Sequence, residues 1–176
     1  MGAYEKHRLF PFRGTIRHYD PPEGGMIRTW KDKLDIPTLV NLFDASFRGH
    51  WDYVHPTRSN WEKLVTGRDF KSSLLLIGLE GDTPVGYIFG QLIPDFSTTT
   101  LQAGYLVSIG LDPAFRNKGW GRALLSKWLN NVYDTGTRAV ELDVDESNNT
   151  AKSLYESFGF RRLRTEEVWR KYLREN

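Results

Sequence analysis

Arg116-Asn117-Lys118-Gly119-Trp120-Gly121 stands between an apolar run and an amphipathic helix, and the reading of the whole chain turns on it. Before it come the apolar stretch Tyr105 to Leu111 and the turn Asp112-Pro113. After it, Arg122-Ala123-Leu124-Leu125-Ser126-Lys127-Trp128-Leu129 carries apolar residues at helical spacing. A glycine-rich loop therefore joins a strand end to a helix start. Backbone N–H groups without intrahelical partners converge there, and the positive end of the helix dipole points the same way. Such a place suits a phosphate or pyrophosphate. Gly119 and Gly121 let the main chain approach an anion with no Cβ in the way. The run is neither the full dinucleotide fingerprint G-x-G-x-x-G nor a P-loop, since no Gly-Lys-Ser/Thr follows. Alone, it reads first as a tight turn that needs glycine for backbone reasons.

Outward from this loop the chain alternates strands and helices. Leu74 to Leu79 and Val85 to Phe89 predict a hairpin around Glu80-Gly81-Asp82-Thr83-Pro84. Asp95 to Thr100 reads as a polar loop. Upstream, Met26 to Trp30 predicts a short first strand. Leu39, Val40, Phe43 and Phe47 then recur at helical spacing after Asp35 and Pro37. Ser59-Asn60-Trp61-Glu62 has the pattern of a capping box and predicts a second helix start. Downstream, Val140, Leu142 and Val144 alternate with Glu141, Asp143 and Asp145, as in a strand with one buried face. Thr150 to Phe158 predicts a helix stopped by Gly159, and Phe160–Leu163 and Val168–Leu173 two closing strands. Residues 1–25 are rich in breakers, with Phe10-Pro11-Phe12-Arg13-Gly14 and Asp20-Pro21-Pro22-Glu23-Gly24-Gly25. They predict an extended N-terminal arm, followed by one domain over residues 26–176. The order β-α-α-β-β-β-α-β-α-β-β indicates an α/β (α+β) protein, a mixed sheet with helices on its faces.

Composition narrows the function classes. The 176 residues suit a single domain that buries its own core. Basic and acidic side chains nearly balance, 24 against 22, so nucleic acid is not the expected partner. No cysteine is present, which removes disulfides, thiolate catalysis and Cys-based zinc sites. No apolar run approaches the ~20 residues of a membrane span. The opening Met1-Gly2-Ala3-Tyr4-Glu5-Lys6 has no apolar core of a signal peptide. A cytoplasmic protein is the expectation.

A second segment gives the glycine loop its meaning: Asn148-Asn149-Thr150-Ala151-Lys152-Ser153-Leu154-Tyr155-Glu156-Ser157-Phe158-Gly159-Phe160. Together the two segments resemble the GCN5-related N-acetyltransferase superfamily. Its acyl-coenzyme A signature, Arg/Gln-x-x-Gly-x-Gly/Ala, is met at Arg116, Gly119 and Gly121. Its Asn-x-x-Ala-x-x-Leu-Tyr-x-x-x-Gly-Phe signature is met at Asn148, Ala151, Leu154, Tyr155, Gly159 and Phe160. The likeness runs from Met26 to Leu173. It implies a mostly antiparallel sheet of six or seven strands, splayed at an acyl-CoA cleft, with about four helices on its faces.

The resemblance also implies roles. Acetyl-CoA is the implied cosubstrate, with no metal. Backbone groups of Ile109 and Leu111 would hold the pantetheine arm. N–H groups from Asn117 through Lys118, Gly119, Trp120 and Gly121 to Arg122 would hold the pyrophosphate, and Arg116, Lys118 and Arg122 would add positive potential. Asn148 would touch the cofactor or simply cap its helix. Tyr155 would protonate the leaving thiolate, or else pack as a core tyrosine. Asp143 is the implied base, because ribosomal-protein N-terminal acetyltransferases carry a glutamate at the matching place. Aspartate is one methylene shorter and would act through a water. Tyr105 sits where histone-type relatives hold their glutamate, but a phenol is a poor base at neutral pH. His50 and His55 are alternatives, since imidazole titrates near working pH. Acceptor contacts fall on His50, Trp51, Asp52, Tyr53, Tyr87 and Trp169. Ala45-Ser46-Phe47-Arg48-Gly49-His50-Trp51, with Trp61 beyond it, resembles the mycothiol-synthase-like branch. The implied reaction is direct acetyl transfer to a primary amine of a small molecule or peptide. Ribosomal-protein-type N-terminal acetylation and a non-catalytic acyl-CoA sensor are the rivals, and a homodimer is left open.

Overall fold

The computed structural model describes residues 2–9, 16–50, 53–68, 70–96 and 102–168. Seven strands form one mixed sheet: β1 (Gly2–Leu9), β2 (Gly25–Thr29), β3 (Leu75–Glu80), β4 (Thr83–Pro94), β5 (Gln102–Leu111), β6 (Val140–Asp145) and β7 (Arg161–Val168). Four helices accompany them: α1 (Ile36–Phe47), α2 (Arg58–Val65), α3 (Trp120–Asp134) and α4 (Asn149–Ser157). The sheet order is β2-β3-β4-β5-β6-β1-β7. Every neighbour pair is antiparallel except β5 with β6, which is parallel and bridged by α3. None of the described helices is long and apolar enough to cross a membrane.

α3 forms because its apolar residues return every three or four positions. Trp120, Ala123, Leu124, Leu125, Trp128, Leu129 and Val132 are all fully buried. Burying each large side chain contributes roughly 1.5–3 kcal/mol before entropy is counted. They meet Leu74, Leu76, Ile88, Val140, Leu142 and Val144 from the sheet. The Trp128 indole N–H donates to the Leu74 carbonyl at 3.1 Å, so the ring is satisfied as well as packed. On the other face, Ile36, Leu39, Leu42 and Trp61 from α1 and α2 pack on Leu75, Ile77, Tyr87 and Phe89 of β3 and β4. Beyond β4 that face turns polar.

The first strand corrects one expectation. Residues 2–9 are not an arm on the surface: they lie in the sheet between β6 and β7. The pairs run from Tyr4↔Asp145 to Leu9↔Val140 on one side and from Gly2↔Val168 to Arg8↔Arg161 on the other. The physical reason is in the pairing of charges. Glu5 and His7 are buried on one face and bond to each other at 2.9 Å, with Lys152 3.6 Å from Glu5. Arg8, also buried, bonds Glu141 at 2.7 Å and pairs with Asp95 on the opposite face. Residues 16–24 then cross α3, where the Ser126 hydroxyl donates to the Arg17 carbonyl at 2.8 Å. Phe10 to Gly14, the part of the polar loop over residues 97–100 and the second closing strand after Val168 lie outside the described residues. α2 also starts earlier than its expected capping box: Thr57, not Ser59, accepts the Asn60 N–H.

Candidate active site

A bulge in β5 builds the cleft. β5 pairs with β6 only at Gly104↔Val140, Tyr105↔Glu141 and Leu106↔Leu142. At the next residue, Val107 is extra relative to β4: Leu106 faces Gly90 and Ser108 faces Phe89. A bulge bends its strand and reverses which residues face which neighbour. Before it, the Gly104 N–H donates towards β6, to the Ala139 carbonyl at 2.8 Å. After it, the Asp112 N–H donates towards β4, to the Val85 carbonyl at 3.0 Å. By alternation Ile109 and Leu111 turn their backbone groups away from β4, into the gap that β6 has left. These are the two residues expected to serve a pantetheine arm.

The gap leads to the glycine loop. Asn117 and Gly119 both have left-handed backbone, with φ of 62° and 96°. A Cβ at Gly119 would meet nothing within 4 Å, so glycine is required there by conformation and not by space. Gly119 is the N-cap of α3 and offers no side chain to it, whereas Thr57 and Asn148 cap α2 and α4. The first intrahelical bond at this end runs from the Ala123 N–H to the Gly119 carbonyl at 3.1 Å. The N–H groups of Trp120, Gly121 and Arg122 precede it and point out of the helix end. Together with the left-handed turns they form a concavity of the kind whose chemistry suits an anion.

The side chains of this loop divide. The Trp120 ring is fully buried and lies against Gly25 and Gly78 on the sheet, so only its backbone belongs to the concavity. A Cβ at Gly121 would sit at ordinary contact distance, 3.4 Å from Leu154, so packing alone does not call for glycine there. Arg116 donates to the Ser46 carbonyl at 3.0 Å and ties the loop to the end of α1. Lys118 lies 4.8 Å over the Phe115 ring. Arg122 is exposed.

α4 packs Tyr155 into the same apolar cluster as Val144, with Leu154 against it. The Asn148 side chain accepts the Ala151 N–H at 3.0 Å, so it caps α4. Tyr155 is buried, with its ring 5.8 Å from Phe160. Burial holds its phenol well above the ordinary tyrosine range. Such a phenol keeps its proton at any physiological pH.

The α1 side of the sheet carries the acceptor candidates. Tyr105 donates to Asp143 at 2.5 Å, and Lys6 of β1 lies 3.6 Å from the same carboxylate. Burial first, and then the bond to Asp143, push the Tyr105 phenol far up. His50, where α1 ends, contacts Asp145 at the end of β6 at 2.9 Å. Tyr87 is fully buried rather than lining the acceptor side, and its phenol meets the Ser108 hydroxyl at 2.6 Å. It braces the residue beside the bulge. Tyr53 is turned to Asp44 of α1 and to His55 at 3.0 Å. Trp51, Asp52 and Trp169 lie outside the described residues. Lys6 and Asp145 went unread in the sequence, because their partners are remote along the chain.

The model of the acetyltransferase (GNAT) family matches residues 36–160. Mycothiol acetyltransferase from Geodermatophilus obscurus is 27% identical over 176 residues, covering 96% of this chain and 57% of that protein. Mycothiol acetyltransferase from Kocuria rhizophila is 37% identical over 152 residues, covering 85% of this chain and 50% of that protein. The chain thus spans about half the length of the curated relatives it matches. Among solved structures, a GCN5-related N-acetyltransferase from Sphaerobacter thermophilus superposes with a TM-score of 0.75 at 24% identity, over 93% of this chain and 49% of that one.

Proposed function

This chain belongs to the acetyltransferase (GNAT) family, and from that membership we propose that it moves an acetyl group from acetyl-CoA directly onto a primary amine of a small molecule or peptide. The observation that carries the reading is the parting of β5 from β6 at the Val107 bulge, with Ile109 and Leu111 facing the gap and the uncapped start of α3 at its end. The residues present fit acetyl-CoA on those grounds. Main-chain groups of Ile109 and Leu111 suit the two amides of a pantetheine arm. The N–H groups from Asn117 to Arg122 suit a pyrophosphate. Bound there, acetyl-CoA supplies an activated thioester.

This chain's residues supply the rest. The acceptor nitrogen attacks the acetyl carbon and the C–S bond breaks. Tyr155, kept protonated by its burial, gives its proton to the departing sulfur. Asp143 faces the acceptor side already engaged by Tyr105 and Lys6, and its role is to attract and orient an ammonium. The likeness to mycothiol acetyltransferases favours a small amine acceptor over a protein terminus. The test is CoA-thiol release from acetyl-CoA against polyamines, amino sugars, aminoglycosides and N-terminal peptides. Thiol release with at least one amine is expected. Absence of release with all of them, together with no acetyl-CoA binding by calorimetry, overturns the reading.

A further inference from the structure

A lone apolar side chain on an outer surface needs no account, but one at the fork of a cleft does. Among the described residues, the exposed large apolar side chains lie on edge strands, loops or helix surfaces, with one exception. Val107, 45% exposed, belongs to β5, an inner strand between β4 and β6. Leu106 packs in the α3 cluster, so by alternation Val107 faces the α1 side. Apolar residues on that side are elsewhere covered, as Tyr87 and Phe89 are by α1 and α2. Two features leave Val107 bare. α1 crosses β5 further along: a Cβ at Gly110 would lie 2.6 Å from Ser46 Oγ. Val107 is also the extra residue of the bulge, at the step where β6 leaves.

The residue facing this valine across the opening is charged. One step past the last β5–β6 pair, Leu106↔Leu142, the parted strands carry Val107 and Asp143. Tyr105, two residues before Val107 and on the same side, donates to Asp143 at 2.5 Å. The fork therefore has a branched hydrocarbon on one prong and a carboxylate on the other. The Asp143 side chain keeps 32% of its surface in solvent. The group that the chain itself sets beside it is an alkylammonium: Lys6 Nζ lies 3.6 Å from the carboxylate and 5.8 Å over the Tyr105 ring. Ile109, whose backbone faces the gap, follows Val107 at about 7 Å along the strand.

From this juxtaposition we infer that Val107 is a specificity-determining residue and that the acceptor is an alkylamine, with its ammonium at Asp143 and its first carbons on Val107. The inference rests on the acetyl-CoA reading given above and names the class of amine within it. A polyamine or a simple alkylamine carries methylenes next to its nitrogen, and these leave water favourably on a valine. An amino sugar carries hydroxylated carbons there instead. Against Val107 those hydroxyls lose water and gain no hydrogen-bond partner from the side chain.

Two amines of one length and one charge test this: butylamine, and 2-methoxyethylamine, in which an ether oxygen replaces a methylene. Release of CoA thiol is followed with each, and with glucosamine. In the unaltered chain kcat/KM should favour butylamine over methoxyethylamine by about fivefold, the worth of one methylene taken out of water, and glucosamine should be the poorest of the three. Val107→Thr keeps the branched shape but brings a hydroxyl, and the preference should fall to about twofold or less. Val107→Ile stays apolar and should keep the preference. No preference in the unaltered chain, an unchanged one in Val107→Thr, a lost one in Val107→Ile, turnover abolished by both substitutions, or release confined to glucosamine would overturn the inference and leave the transferase reading intact. No thiol release from the unaltered chain with any amine, together with no acetyl-CoA binding by calorimetry, would overturn both.

Discussion

The two walls of the cleft are made of different material. On the wall proposed for the donor, β5 and the loop from Arg116 to Arg122 present main chain: the turned backbone of Ile109 and Leu111, and the uncapped N–H groups at the start of α3. On the wall proposed for the acceptor, β6 and the end of α1 present side chains: Asp143 with Tyr105 and Lys6, and Asp145 with His50. Backbone recognition requires a conformation, and only a few residue types permit it. Side-chain recognition requires a constellation, and many sequences can supply one. A donor wall of this kind therefore suits a cosubstrate that many proteins share, and an acceptor wall of the other kind suits a substrate that each protein chooses for itself.

The difference can be broken by substitution, and the largest effect should come from beneath the donor wall. Trp120→Ala removes a fully buried indole that rests on Gly25 and Gly78. A loss of about 3–5 kcal/mol of stability is expected, read from denaturant unfolding. A small loss would mean that the loop does not depend on that packing. Tyr155→Phe keeps the ring against Phe160 but removes the proton donor. Turnover should fall about 10²-fold or more with acetyl-CoA affinity unaltered, and an unchanged kcat would remove Tyr155 from the chemistry.

Gly119→Ala sharpens the donor side further, because its new methyl meets no neighbour and only the backbone objects. The left-handed conformation should cost about 1–2 kcal/mol, weakening acetyl-CoA binding roughly 5–30-fold by calorimetry. Unchanged affinity would separate the turn from the anion. The smallest effect belongs to the acceptor wall. Asp143→Asn should raise the acceptor KM by about fivefold or less and leave acetyl-CoA binding alone, as befits a partly exposed, already paired carboxylate. A collapse of kcat instead would make Asp143 the base of the reaction.

The same division explains what could be read in the sequence. The turn and the strand before it were legible: Arg116, Gly119 and Gly121 mark the turn, and the apolar run through Ile109 and Leu111 marks the strand. The bulge at Val107 was not, because nothing in Leu106-Val107-Ser108 announces an extra residue. Tyr87 was placed on the acceptor side by its strand, yet α1 covers it and Ser108 satisfies its phenol. β1 was missed for a plainer reason. A strand is recognised by one apolar and one polar face, and Glu5, Lys6, His7 and Arg8 are charged or polar on both. Their burial is offset by partners on four other segments: Asp95, Glu141 and Asp143, Lys152, and Arg162. His50 and Asp145 illustrate the same limit, since neither residue carries any local mark of the other.

The place of β1 has a consequence for how the protein is made. During synthesis this strand emerges ahead of everything it pairs with, and both of its neighbours follow only after α3. A nascent chain that has reached the end of α3 can gather β2 to β5 and the first three helices, but it still holds an empty slot and an unplaced ribbon of charges. Closure awaits Asp145 and Val168, so seating β1 and bringing β6 and β7 together are a single event.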